Sequence, residues 1–399
     1  MRTLLIYSFC QKMRIVLNIV RVVVGVLFIF SGLVKANDPL SLSYKMKEFF
    51  ELWNSELENG SFFMKNILFN LFQFLHDHSL SLSLFLIFFE IIAGVALLLG
   101  WRMKIFSWLL LLLTIFFTFL TGYALYSGKF TNCGCFGDCI PLSPKTSFLK
   151  DIVLTLLIIY LFINRRKITP YFSSKTNFLV LAAATIISFG IQWYVLNYLP
   201  FVDCLPFKTG NNISEKRKMP ANAIPDSTVI SFVYDKDGRK VEFTADNFPS
   251  DFKVPPYKFL KRYDKIVRKG KNNEPPIKGF SLLTESGEDS TDIVLSQPEC
   301  ILLFCENFAT PVKSWQHDFQ EILNAARQKM IPIYIVTANR KEANLALANT
   351  PFRELPLFEC DFTAIRTAAR TNPCLYLLKR GTVVNKWSYH RMSAASRIL

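Results

Sequence analysis

Charge is scarce in this chain. Only 19% of the 399 residues are Asp, Glu, Lys or Arg, while 51% are hydrophobic, a balance unusual for a soluble protein. The formal charge is +15, but no nucleic-acid motif accompanies it. Arg2, Lys12, Arg14, Arg102, Lys104, Arg165, Arg166 and Lys167 cap apolar runs instead, as the positive-inside rule describes, so nucleic acid is excluded as a partner. Histidine is rare: His76, His78, His317 and His390 are scattered and read as bland, and no metal is expected. No small-residue cleavage site follows the first apolar stretch, and the bulky Phe9 before Cys10 speaks against a lipoprotein signal, so the start reads as uncleaved. The apolar runs show no inverted repeat, which disfavours a transporter. A Cys-x-x-Cys motif is missing, although there are nine cysteines, an odd number that leaves at least one unpaired within the chain.

Apolar runs of membrane-spanning length fill the first half, at residues 15–34, 80–99, 105–126, 148–163 and 178–199. A further stretch at 62–75 is interrupted by Lys65, Asn66, Asn70 and Gln73 at helical spacing, and reads as an amphipathic helix on the membrane surface. The N-terminus and the short loops at 101–104 and 164–167 are basic, whereas the connection after Val34 is rich in acid and the 127–147 loop is nearly neutral. The alternation places the N-terminus in the cytoplasm and everything after Pro200 outside it, with membrane lipid as one partner.

Residues 205–275 read as a polar linker followed by a small β region. That region is a hairpin of 229–234 and 240–244 around Asp235-Lys236-Asp237-Gly238, and a basic stretch at 253–278 leads out of it. From about Pro276 strands and helices alternate: a buried strand at 300–305, a helix at 315–328, a strand at 331–337, a helix at 341–348, and strands at 374–378 and 383–387. The expected fold is an all-α transmembrane bundle of about five spans (1–204), then the linker and hairpin, then a C-terminal α/β domain (276–399).

The α/β domain resembles thioredoxin-like domains of the TlpA/ResA type. The likeness rests on element order, on Phe280 to Leu283 with Gly287, Asp292 and Leu295, on Asp361, and on the Lys379-Arg380-Gly381 turn. Asn372-Pro373 falls where that family keeps its cis-proline. Where the family carries its redox motif this chain reads Phe308-Ala309-Thr310-Pro311-Val312-Lys313-Ser314, without a thiol to activate at the helix start. Cys300, Cys305, Cys360 and Cys374 read as apolar core residues. The membrane half resembles the DoxX superfamily and its MauE branch. Arg21 to Lys35, Asp38-Pro39, Glu90 with Gly94 and Gly100, and Cys133-Gly134-Cys135-Phe136-Gly137 followed by Pro141 to Ser143 and Asp151 carry that likeness. The MauE branch is associated with maturation of methylamine dehydrogenase, a disulfide-rich periplasmic enzyme. The resemblance implies a redox-associated protein of the bacterial inner membrane with a periplasmic domain and a periplasmic thiol partner.

Cys133 and Cys135 are the candidate redox pair, because a disulfide between them closes a very small, strained ring, and strained disulfides are oxidising. Cys139 and Cys204 are a candidate second pair. The alternative is that these bonds merely staple the loop, in a non-catalytic assembly protein. Enzymatic activity, if present, is that of a thiol–disulfide oxidoreductase component. Quinone is the cofactor such chemistry could use, although the second Cys-x-x-Cys pair of a vitamin K epoxide reductase is missing. Arg21 and Glu90 are expected to form an ion pair inside the membrane, fixing two helices or moving protons.

Overall fold

The computed structural model describes residues 2–59, 64–130, 134, 137–244, 247–248, 257–268, 270 and 272–397. Among the described residues, seven helices build the first half: α1 (Arg2–Ala36), α2 (Pro39–Asn59), α3 (Lys65–Asp77), α4 (Ser79–Leu99), α5 (Met103–Ser127), α6 (Pro144–Ile163) and α7 (Ser174–Tyr198). Five are long and apolar enough to cross a membrane: α1 from Gln11, α4, α5, α6 and α7. Their outer faces carry exposed apolar residues such as Ile19, Ile115, Leu156 and Ile186, the surface a hydrocarbon layer would cover.

Glycines set the closest helix contact. A Cβ on Gly94 of α4 would lie 2.8 Å from the Gly25 carbonyl oxygen of α1, so only hydrogen lets these backbones meet there. About two turns further along α1, Gly32 lies against Ile91. The α1–α4 pair therefore runs antiparallel with a fixed register.

The connection after the first span, read only as an acidic loop, is largely α2. Its Leu42, Met46 and Phe50 pack with Ile87 and Ile91 of α4, which explains a long helix with mixed charge on its remaining face. The surface stretch forms α3, none of whose residues is buried and whose Ile67, Leu71 and Phe74 are exposed.

The second half begins inside the segment read as a linker. Phe207 and Ile213 are fully buried in the α/β core, and the short α8 (Ile213–Lys216) is fixed by Ile213 N–H donating to the Gly381 carbonyl at 2.8 Å. The polar residues around them gave no hint of burial, because the two apolar anchors are isolated in sequence. The small β region holds β1 (Ser227–Lys236), β2 (Arg239–Thr244) and β3 (Tyr257–Arg268), antiparallel in the order β2-β1-β3. The third strand corrects the reading of 253–278 as a mere connection. Its frequent Lys and Arg hide the alternation because it is an edge strand with an exposed face.

The last domain continues with α9 (Thr291–Leu295), β4 (Cys300–Cys305), α10 (Gln316–Gln328), β5 (Ile333–Thr337), α11 (Arg340–Leu347), β6 (Leu357–Glu359), α12 (Phe362–Ala368), β7 (Cys374–Lys379) and β8 (Thr382–Ser388). Its sheet order is β6-β5-β4-β7-β8, with β4, β5 and β6 parallel and β7 and β8 antiparallel to the strand beside them. Every residue of β4 is buried, as a central strand covered on both faces requires. The whole is a helix bundle followed by an α/β thioredoxin-like domain.

Candidate functional site

Two loops and one helix end converge where the α/β domain meets the bundle. The loop between α5 and α6 contributes Gly137, Asp138 and Cys139; Gly137 takes φ +59°, where a side chain would be strained. Cys139 is joined by a disulfide to Cys204, which follows α7. Asp38 stands between α1 and α2. Arg370, from the turn after α12, reaches across the chain to both acids. Its Nε donates to Asp38 at 2.9 Å and its Nη2 to Asp138 at 3.0 Å, and Nη1 is taken by the Arg366 carbonyl. Arg370 is only 5% exposed. Burial alone would lower its pKa, but the charges of Asp38 and Asp138 more than offset this and hold the guanidinium above its ordinary value.

Tyr44 of α2 completes the contact. Its ring centre lies 5.5 Å from the Arg370 guanidinium and 5.1 Å from that of Arg366. Burial pushes its hydroxyl up to about 12, so it stays protonated. Arg366 in turn pairs with Glu306 at 2.7 Å. Other contacts secure the same interface. Lys386 pairs with Asp203, Arg391 donates to the Tyr194 hydroxyl at 3.1 Å, and His390 lies 3.2 Å from the Asn197 side-chain oxygen.

Arg370 stands three residues before Pro373, whose peptide bond with Asn372 is cis. The position that holds a thiol pair in redox-active thioredoxin folds is here closed by hydrogen bonds. The Thr310 hydroxyl donates to the Asn372 carbonyl at 2.7 Å, the Asn372 amide donates to the Asn307 carbonyl at 2.9 Å, and Glu306 N–H donates to Asn372 Oδ1 at 3.0 Å. The four cysteines of the domain are buried and free. Burial pushes the thiols of Cys360 and Cys374 up to about 11 and that of Cys300 to about 12, and raises Cys305 as well. None supplies a thiolate at neutral pH.

The candidate redox pair, Cys133 and Cys135, lies outside the described residues. Gly134 between them sits against the Lys45 side chain of α2. The described contacts of this loop are those of Gly134, Asp138 and Cys139.

Inside the bundle the expected Arg21–Glu90 pair is not formed. Glu90 is paired with Lys35, whose ammonium lies 2.9 and 2.6 Å from its two oxygens and 3.1 Å from the Ser31 hydroxyl. Arg21 instead donates to the Leu98 carbonyl at 2.8 Å and lies 4.2 Å from the centre of the Tyr171 ring. The glycine register explains the difference. With Gly25 level with Gly94 and Gly32 level with Ile91, Glu90 faces the Ser31–Lys35 turn, about 15–21 Å along the axis from Arg21. Counting depth from the ends of the apolar runs misses this, because α1 extends well before Arg21. Asp151, at the start of α6, is held by Lys150 at 2.7 Å and by the Thr121 hydroxyl at 3.0 Å. The sequence marks Asp38 only through the Asp38-Pro39 likeness, and gives no local sign that Asp38, Tyr44, Asp138 and Arg370 meet. A contact across 332 positions leaves no local pattern.

Comparison with known proteins bears on parts of the chain. Residues 67–164 match the family described as methylamine utilisation protein MauE, a stretch that includes the cysteine loop. Residues 221–269, the small β region, match a domain of unknown function, DUF8463. The chain is similar to "Protein TlpB" of Flavobacterium psychrophilum, at 40% identity over 83 residues, which is 20% of this chain and 22% of that protein. The match thus spans less than a quarter of that relative's length. Among solved structures, a conserved protein of unknown function from Bacteroides fragilis aligns at 21% identity over 27% of this chain and 84% of its own, with a TM-score of 0.23.

Proposed function

We propose that the chain supports thiol–disulfide chemistry, or the maturation of proteins, outside the cytoplasm of a bacterium, from the inner membrane. In this reading the N-terminus is cytoplasmic, and the Cys133/Cys135 loop and the α/β domain face the periplasm. The observation that carries it is the Arg370 contact. A thioredoxin-like domain without a redox thiol holds its cis-proline end against Asp138, in the same loop as Cys133, Cys135 and Cys139. The domain then positions a thiol protein partner, and the loop reacts. A Cys133–Cys135 disulfide accepts two electrons and two protons from the partner's dithiol, becoming two thiols as the partner gains a disulfide. Cys139 and Cys204, already bonded, are the pair that next passes the oxidation on. The match to the MauE family, the likeness to TlpB and the resemblance to the DoxX superfamily support a role of this class.

A second reading draws on the same disulfide. If Cys139–Cys204 is only a staple, the protein is an assembly scaffold and its loop is inert. Redox trapping separates the two. In the full chain, Cys135→Ser should leave Cys133 holding a mixed disulfide with a partner, seen by mass spectrometry, and wild-type Cys133–Cys135 should titrate against glutathione with a midpoint above about −230 mV. No trapped partner and a midpoint below about −300 mV would decide for the scaffold.

A further inference from the structure

Between α1, α5 and α6, at the level of Lys35 and Glu90, lies a cavity of about 370 Å³, within the size range of small-molecule sites. Its walls are almost wholly apolar. Leu27, Phe28, Phe117, Leu149 and Leu154 are among them, with Ser31, Thr114 and Thr146 at their edges, and Leu27 and Leu149 are exposed on the side that faces lipid. A molecule entering there comes from the bilayer and is lipid-soluble. The polar end of the cavity is electrically balanced, because Lys35 is paired with Glu90 and Lys150 with Asp151. An anionic phosphate head finds no net positive charge, so the head that fits is neutral. Aromatic faces at Phe28 and Phe117, the latter 4.9 Å from the Lys35 ammonium, suit a flat ring over a tail of chain length. The cavity also lies at the cysteine-bearing end of the bundle. Lys150 and Thr146, on the first turns of α6, line it, and α6 begins five residues after Cys139.

The geometry points to this cavity as the binding site for the head group of a lipid-soluble quinone. The inference rests on the thiol–disulfide reading only for its use. There, a dithiol passes two electrons and two protons to the quinone, giving a disulfide and a quinol, which regenerates the oxidised pair.

Binding is tested without turnover. Full-length protein in nanodiscs of zwitterionic lipid is irradiated with a photoactivatable azidoquinone, and the labelled peptides are mapped. Label should concentrate on residues 27–35 and 146–157, fall at least tenfold with excess decylubiquinone, and resist excess oleate. Leu154→Trp, which fills the cavity, should remove it, and Leu27→Trp, at the mouth, serves should the first variant not fold. Label spread evenly over the lipid-facing helices, label unchanged by a folded filling variant, or label displaced equally by oleate would each overturn the site. The same mapping on Cys133→Ser/Cys135→Ser protein keeps the two proposals apart. Retained label there leaves the site standing even where redox trapping fails.

Discussion

Glu90 needs a cation at its own level in the bundle, and the helix register selects Lys35 for it. A carboxylate left alone in the membrane interior is costly, so breaking the pair from either side should be severe while removing both charges should not be. Lys35→Met or Glu90→Gln alone is expected to cost about 3–5 kcal/mol in detergent unfolding. Lys35→Met with Glu90→Leu should recover most of that loss. Arg21→Met should add to the Glu90 variant without coupling, since the two side chains share no partner. A coupling energy between Arg21 and Glu90 larger than that between Lys35 and Glu90 would reverse the assignment. The buried thiols behave in the opposite sense to carboxylates. Their pKa values are raised by folding, so their contribution to stability is complete below the ordinary thiol value, about 8.5, and drains away as pH rises toward about 11–12. In the full chain, Cys360 and Cys374 should resist iodoacetamide at pH 7.5 until the domain unfolds. Rapid native alkylation at either would show that the β4 and β7 region opens far more readily than its burial implies.

At the scale of elements, the α1–α4 crossing depends on hydrogen at Gly94. A Leu there meets the Gly25 carbonyl and the Ile29 side chain and must push the helices apart. Gly94→Leu should lower the melting temperature by an amount worth about 1–3 kcal/mol. Gly190 of α7 is the control, for nothing lies within 4 Å of a Cβ placed there. Gly190→Ala should be neutral or gain up to about 1 kcal/mol through a stiffer unfolded chain. Equal melting temperatures for the two variants would remove the glycine contact as a determinant of packing. Elements with one dominant pattern could be read from the residues alone. The five apolar runs and the continuous strand Cys300–Cys305 fall where their composition places them, because a span apolar on its outer as well as its inner face, like a strand buried on both faces, leaves no competing period. Elements with two conflicting demands could not. The strand β3 mixes Phe259 and Leu260 with Lys258, Lys261 and Arg262, and α2 mixes Phe49 and Phe50 with Lys47, Glu48 and Glu51, so each reads as polar until its covered face is known. In the site, the cysteine loop announced itself by spacing, whereas Lys35 and Arg370 owe their roles to register and docking that no window of sequence contains.

Across the whole molecule, Arg370 is one of the charges that tie the two halves together, with Lys386 on Asp203 another. Its removal leaves Asp38 buried without a counter-charge, and leaves Tyr44 without one of its two cationic neighbours. Arg370→Ala should therefore loosen the interface rather than unfold either half. Hydrogen exchange at residues 137–143 and 362–374 should quicken by about tenfold or more, equivalent to ~1.4 kcal/mol, while β4 and β5 keep their protection. Added salt should not mimic the variant, because a buried pair is little screened. Unchanged exchange at 137–143 would mean that Lys386, His390 and Arg391 suffice to hold the domain in place.

The bond between Cys139 and Cys204 closes a ring of chain across 65 positions, and that ring contains all of α6 and α7. It cannot close while only α6 has been laid into the bilayer, because Cys204 then has no route back to the side where Cys139 waits. Once α7 has returned, the two sulfurs meet, and the bond records that the hairpin was inserted in full. A nick in the turn between Ile163 and Ser174 no longer frees a fragment, since both pieces stay on one covalent loop. Each oxidised copy thus carries a seal on the insertion of α6 and α7, and reduction of that seal erases the record.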